Sequence, residues 1–173
     1  MQVKIVAGFH SVSKGQNFVM LGLLLITILY LLTTIVCTMG ARKSVFTRKF
    51  MDEFNREHQT HFGPDSKTPN YGYPDCGNGY YSERLSYKDW MIMNNGQRAQ
   101  GNFAEQMFFY IVTVFVTGCW DYRWAFGISM AIFVGRFFFA WGYMKGGPNS
   151  RIVGALINDI ALLVSLATSV VAI

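Results

Sequence analysis

Residues 18–39 read FVMLGLLLITILYLLTTIVCTM, without a single Asp, Glu, Lys or Arg. A helix of that length rises about 33 Å, and a bilayer's hydrocarbon core is about 30 Å thick. The apolar core of a cleaved signal peptide is only about 7–15 residues long. The stretch therefore reads as a membrane span. Three more apolar runs follow, at 98–120, 124–144 and 152–173. Past its start, each carries one charge: Glu105, Arg136 and Asp159. The second and third runs are joined only by Asp121, Tyr122 and Arg123, and the third and fourth by Lys145 to Arg151, rich in the turn formers Gly, Pro and Asn. Short connections make antiparallel neighbours. The fold class read from this pattern is an all-α membrane protein, a four-transmembrane-helix antiparallel bundle, with one polar loop at 40–97.

Composition agrees. The chain has 173 residues, 51% hydrophobic and 14% charged, where a soluble domain carries about 25% charge. A disordered chain, a coiled coil, a collagen and a disulfide scaffold are excluded. Fifteen of the charged residues fall between Arg42 and Asp89, so one polar insert interrupts an apolar chain. The net charge of +5 does not call for nucleic acid, because cytoplasmic loops of membrane proteins collect Lys and Arg. Arg42, Lys43, Arg48, Lys49, Arg56, Lys67, Arg84, Lys88, Lys145 and Arg151 share one side; Lys4, Lys14 and Arg123 take the other. The long loop is expected on the cytosolic or matrix side and both termini opposite. Cys37, Cys76 and Cys119 form no CxxC pair, which speaks against a disulfide framework and fits a reducing compartment for Cys76.

Within the loop, Ser44 to His61 suits an amphipathic helix. Residues 70–81 read NYGYPDCGNGYY, a composition for an ordered irregular loop at the membrane interface, where Tyr is favoured. Tyr87 and Trp90 would anchor the approach to the second span. His58 and His61 form an HxxH pair with no suitably placed third ligand, so no metal site is expected.

A charge at the centre of a membrane helix costs at least about 2.5–3.5 kcal/mol, so such residues face the bundle interior. Arg98, Asn102 and Glu105 stand at i, i+4 and i+7, one stripe of one helix, with Gln106 beside it. Arg136 and Tyr143 stand at i and i+7. Arg151, Ala155, Asn158 and Asp159 share a face. Two structural readings follow for Arg136, an ion pair with Glu105 or one with Asp159, and a place in the site for Arg136 and Asp159 stands beside them. For Arg98, Asn102 and Arg151, a binding site for a small anionic, peptide-like ligand stands beside simple snorkelling.

The segment 95–106, NGQRAQGNFAEQ, together with 135–143, GRFFFAWGY, and 146–154, GGPNSRIVG, resembles the MAPEG family, membrane-associated proteins in eicosanoid and glutathione metabolism. The resemblance covers all four spans, the first by hydropathy alone. It implies a homotrimer of four-helix subunits, with glutathione held at each subunit interface near the cytosolic side. It carries glutathione binding over to Arg98, Gln100, Asn102, Glu105 and Tyr143, and thiol activation to Arg151. It implies a glutathione S-transferase or glutathione-dependent peroxidase acting on lipophilic electrophiles or lipid hydroperoxides, in the endoplasmic reticulum or a mitochondrial membrane. The chain departs from catalytic relatives at Phe139 and Gln106, where a Tyr is common, in the spacing from Tyr143 to Arg151, and in the acid Asp159. The alternative those departures favour is a non-catalytic accessory or structural subunit of a larger membrane complex.

Overall fold

A computed structural model describes residues 14–171; Lys4 and the last two residues of the fourth apolar run lie outside the described residues. Helix α1 (Lys14–Thr33) passes through one π turn (Thr34–Met39) into α2 (Gly40–Val45). Two short helices, α3 (Arg48–Asp52) and α4 (Asn55–Phe62), lead into an irregular stretch with two 3-10 turns, Asn70–Gly72 and Ser82–Arg84. Then come α5 (Tyr87–Trp120), α6 (Tyr122–Gly146), a 3-10 turn (Pro148–Arg151) and α7 (Ile152–Val171). No strand occurs among the described residues. Four helical stretches, Gly15–Val45, Tyr87–Trp120, Tyr122–Gly146 and Pro148–Val171, are long and apolar enough to cross a membrane. The chain is an all-α integral membrane bundle.

The helices outrun the apolar runs that reveal them. The first rod continues six residues past Met39, carrying Arg42 and Lys43 beyond its apolar stretch. The second begins at Tyr87, eleven residues before Arg98, because Ser86 caps it: its Oγ accepts from the Asp89 amide at 3.1 Å and donates to the Asp89 carboxylate at 2.7 Å. A 34-residue helix is about 51 Å long at 1.5 Å per residue, so its polar first turns project beyond the hydrocarbon. Hydropathy could not see that extension. The single amphipathic helix expected over Ser44–His61 is instead broken into three. Phe46 leaves the helical region (φ −84°, ψ 62°), and the Thr47 hydroxyl accepts from the Phe50 amide at 3.3 Å to start α3.

Helix α6 is the hub, packing against α1, α5 and α7. The core at its level joins Ile26 and Leu29 of α1, Phe103, Tyr110 and Val114 of α5, Ile128 and Ile132 of α6, and Ala161 of α7. On the side away from the polar loop, α5 and α7 are stitched by hydroxyls. Ser165 donates to Thr113 Oγ1 at 2.7 Å, Ser169 to the Thr113 carbonyl at 3.0 Å, and the Thr117 and Thr168 hydroxyls meet at 2.9 Å. Small hydroxyl residues suit such a seam, because lipid tails give no hydrophobic drive for helix association.

The polar loop folds as a cap. Phe46, Met51 and Met93 are fully buried beneath it, so the ordered reading of 70–81 holds. Arg42, 2% exposed, donates to the carbonyls of Tyr71 (3.0 Å) and Asp75 (2.6 Å), with its guanidinium 4.1 Å from the Tyr73 ring centroid. The Asp75 carboxylate gathers the amides of Gly77 (2.7 Å), Gly79 (3.0 Å) and Ser82 (2.7 Å) and the Ser82 hydroxyl (2.7 Å).

Candidate functional site

Close packing of α7 on α6 builds the site. A Cβ on Gly154 would lie 2.6 Å from Phe139 Cα, and one on Gly142 would lie 3.1 Å from Arg151 Cα. Only glycine permits that approach. It lays the 3-10 turn against the end of α6 and brings Arg151 over the aromatic face at Phe139 and Tyr143.

The Arg151 guanidinium carbon is 5.2 Å from the Tyr143 ring centroid and 5.6 Å from that of Phe139. Tyr143 is buried to 4% exposure and Arg151 is half-buried. Among the described residues, neither Arg151 nor the Tyr143 hydroxyl has a hydrogen-bond or ion-pair partner. A cation fixed by aromatic faces, with its N–H groups uncommitted, is chemically a receptor for negative charge.

On α6, one turn before Phe139 and two before Tyr143, Arg136 is 2% exposed. It forms no ion pair with Glu105 or Asp159, correcting both ion-pair readings offered for it. Its Nε donates to the Tyr110 hydroxyl at 3.1 Å, Nη2 donates to the same oxygen at 2.6 Å, and Nη2 also meets Gln106 Oε1. The rings of Phe103, Tyr110 and Phe139 flank it at 5.0–5.2 Å. Helix geometry explains the substitution of partners. Gln106 and Tyr110, at i and i+4, face α6, whereas Glu105 is one residue, about 100°, around the helix and is exposed. Asp159 is likewise one position from buried Asn158, and exposed. Tyr110 went unnoticed in the sequence. Its signal was that it is the only Tyr in the apolar run 98–120, four residues from Gln106, while Arg136 had to find oxygen somewhere.

The six candidates fall into two groups in one chain. Tyr143 and Arg151 meet at the junction of α6 and α7. Arg98 and Glu105 are exposed on α5, and Asn102 donates to the Arg98 carbonyl of its own helix at 2.8 Å. Gln100 turns toward α1, where its amide donates to the Tyr30 hydroxyl at 2.9 Å. Three cavities between helices, at α6 and α7, at α1 and α5, and at α1 and α6, are lined by none of the six. His58 and His61 line a small pocket in the cap with Phe54, Glu57 and Tyr80, and no cluster suited to a metal occurs among the described residues.

Comparison with known proteins gives one result. The model of the MAPEG family matches residues 18–171, nearly the whole described chain. This chain belongs to the MAPEG family. No solved structure matches it significantly. Within this MAPEG protein, the matched span takes in all four spanning helices, the cap and every candidate residue.

Proposed function

We propose that this MAPEG protein is a glutathione-dependent transferase or peroxidase for lipophilic substrates, with Arg151 as the thiol-activating residue. The observation that carries this reading is Arg151 itself: a cation braced on Tyr143 and Phe139, with no acid to neutralise it. The residues present fit glutathione. Tyr143 keeps a free hydroxyl beside that cation, and α5 presents Arg98 and Glu105 outward for the two ends of a zwitterionic tripeptide.

Glutathione would supply the thiol, the nucleophile of the reaction. Arg151 stabilises negative charge on sulfur, which lowers a thiol's pKa and raises its thiolate fraction. In conjugation, the thiolate sulfur bonds to the electrophilic carbon as a leaving group departs with its electron pair, or as an adjacent π bond opens and takes up a proton. In peroxide reduction, two thiols become one disulfide as the hydroperoxide becomes an alcohol and water.

The two groups of candidates complete one another across a protomer boundary. Glu105 and Asp159 are exposed on the single chain within its spanning helices, and a charge facing lipid costs about 2.5–3.5 kcal/mol. A homotrimer that covers Glu105 and lays the α5 stripe beside a neighbour's Tyr143 and Arg151 removes that cost for Glu105. The Lys and Arg bias favours the cytosolic or matrix side for this site, and family membership favours the endoplasmic reticulum, with a mitochondrial membrane as the alternative.

Titration calorimetry of the detergent-solubilised trimer with glutathione tests the reading. Binding should appear together with ultraviolet thiolate absorbance, and Arg151→Ala should remove most of the absorbance while retaining much of the binding. A folded protein that takes up no glutathione refutes the enzyme. The second reading, an accessory subunit of a larger membrane complex, is favoured by one observation: Phe139 puts an apolar ring, not a phenol, under Arg151. It forecasts stoichiometric co-purification with other membrane subunits and no thiolate signal.

A further inference from the structure

An apolar groove of about 710 Å³ runs between α1 and α6, lined by neither Tyr143 nor Arg151, though its Cys37 and Ala140 pack in one buried cluster with Phe139 and Tyr143. Its floor is buried: Leu29, Thr33, Cys37 and Ala140 are each 7% exposed or less. Its walls are open, with Trp141 at 55% and Val36 at 62% exposure. From Phe133 to Lys145 the α6 wall covers thirteen residues, about 18 Å of helix. The π turn Thr34–Met39 carries Val36 into the opposite wall and Cys37 into the floor, and such turns recur at functional positions.

The chemistry of the lining selects the occupant. The one hydroxyl, on Thr33, already donates to the Tyr30 carbonyl at 2.8 Å. Along the walls a peptide or sugar would find only the Trp141 indole N–H and the Cys37 thiol besides, too few partners for its polar groups. At the mouth stands Lys145, in the last turn of α6, exposed and with no ion-pair partner among the described residues. We propose that this groove is a binding site for an anionic glycerophospholipid, one acyl chain lying along α1 and α6 and the headgroup phosphate on Lys145. The groove opens sideways along its length, so the second chain stays in the bilayer. A lipid bound this way would brace the π turn against α6.

Trp141 lies in the groove wall, so its fluorescence reports occupancy. The chain has four Trp; the Trp141 signal is isolated by replacing Trp90, Trp120 and Trp124 with Phe, or as the difference between wild type and Trp141→Phe. The protein is reconstituted into vesicles containing equal fractions of brominated phosphatidylglycerol or brominated phosphatidylcholine. Quenching of Trp141 should show about a fivefold preference for the anionic lipid, the ratio one Lys near an anionic headgroup supplies. Lys145→Gln should abolish the preference. Ala140→Phe, which fills the floor, should reduce quenching by both lipids. Equal quenching by the two lipids, or a preference that survives Lys145→Gln, overturns the site. A preference shown by brominated fatty acid and absent for the brominated phospholipid overturns the phospholipid as its occupant.

Discussion

Asp75→Asn should loosen the polar cap while leaving the four spans intact. In the folded protein, Asp75 Oδ1 accepts from the Gly77 and Gly79 amides and from the Ser82 hydroxyl, and Oδ2 accepts from the Ser82 amide at 2.7 Å. An asparagine in its better orientation keeps the first three and turns an NH₂ toward the Ser82 N–H. One bond is lost, two donors face each other, and the other three lose charge assistance. Hydrogen bonds to charged groups are worth about 1.5–3 kcal/mol each, and an unsatisfied buried donor costs about 1–3. The cap should therefore weaken by about 2–4 kcal/mol, speeding amide exchange at 70–86 at least about 30-fold. Hydrogen-exchange mass spectrometry in detergent micelles reads this directly, with α6 as an internal control. Exchange at 70–86 within threefold of wild type would refute the reasoning. Acidity gives a second reading. Burial by itself would raise the Asp75 carboxyl, but the bonds from Ser82, Gly77 and Gly79 outweigh it and hold the group below its usual range. A carboxyl depressed in the folded state contributes fully above its unfolded value, about 3.9, and loses that contribution as the pH falls through the folded value. Cap protection in wild type should fade below about pH 4, and in Asp75→Asn it should be flat there.

Gly154→Ala should destabilise the bundle by several kcal/mol or prevent its assembly, because the new methyl meets the Phe139 backbone, which cannot rotate aside; Gly127→Ala, with nothing within 4 Å, serves as the control in the same thermal melts. Tyr110→Phe should cost about 1–3 kcal/mol by taking the oxygen that receives two Arg136 bonds; in an Arg136→Met background the same change should cost much less, and an equal cost would show the pair uncoupled. Tyr30→Phe, which frees Gln100 from α1, should leave thermal stability nearly unchanged but weaken glutathione binding in calorimetry if a fixed Gln100 matters, and no change in affinity would remove Gln100 from the site.

Number and order of the spans were legible because lipid imposes a coarse rule: about twenty apolar residues per crossing. The same rule hid the true helix ends, since Ser86 and the π turn at Thr34–Met39 are set by hydrogen bonding and not by hydropathy. The inward direction of Arg136 was readable from its cost, but its partners were not. A one-residue step around α5 decides between Glu105 and Gln106, and helix phase is fixed by packing. The pairing of Tyr143 with Arg151 depended on Gly142 and Gly154, whose meaning appears only when two helices touch. The α5 candidates were not separable from that pair in the sequence, because the phase that turns Arg98 and Glu105 outward and Gln100 toward Tyr30 is fixed by packing.

Asp121 is the whole connection between α5 and α6, extended at φ −145° and bonded through its side chain to the Arg123 amide at 2.8 Å. A link that short gives the two helices no independent route into the bilayer, so they must insert during biosynthesis as one hairpin. Arg136 then enters the hydrocarbon with the Tyr110 phenol and the Gln106 amide already alongside. The insertion machinery never has to expose a bare guanidinium to lipid, and lengthening the Asp121 link should slow membrane integration before it harms the finished protein.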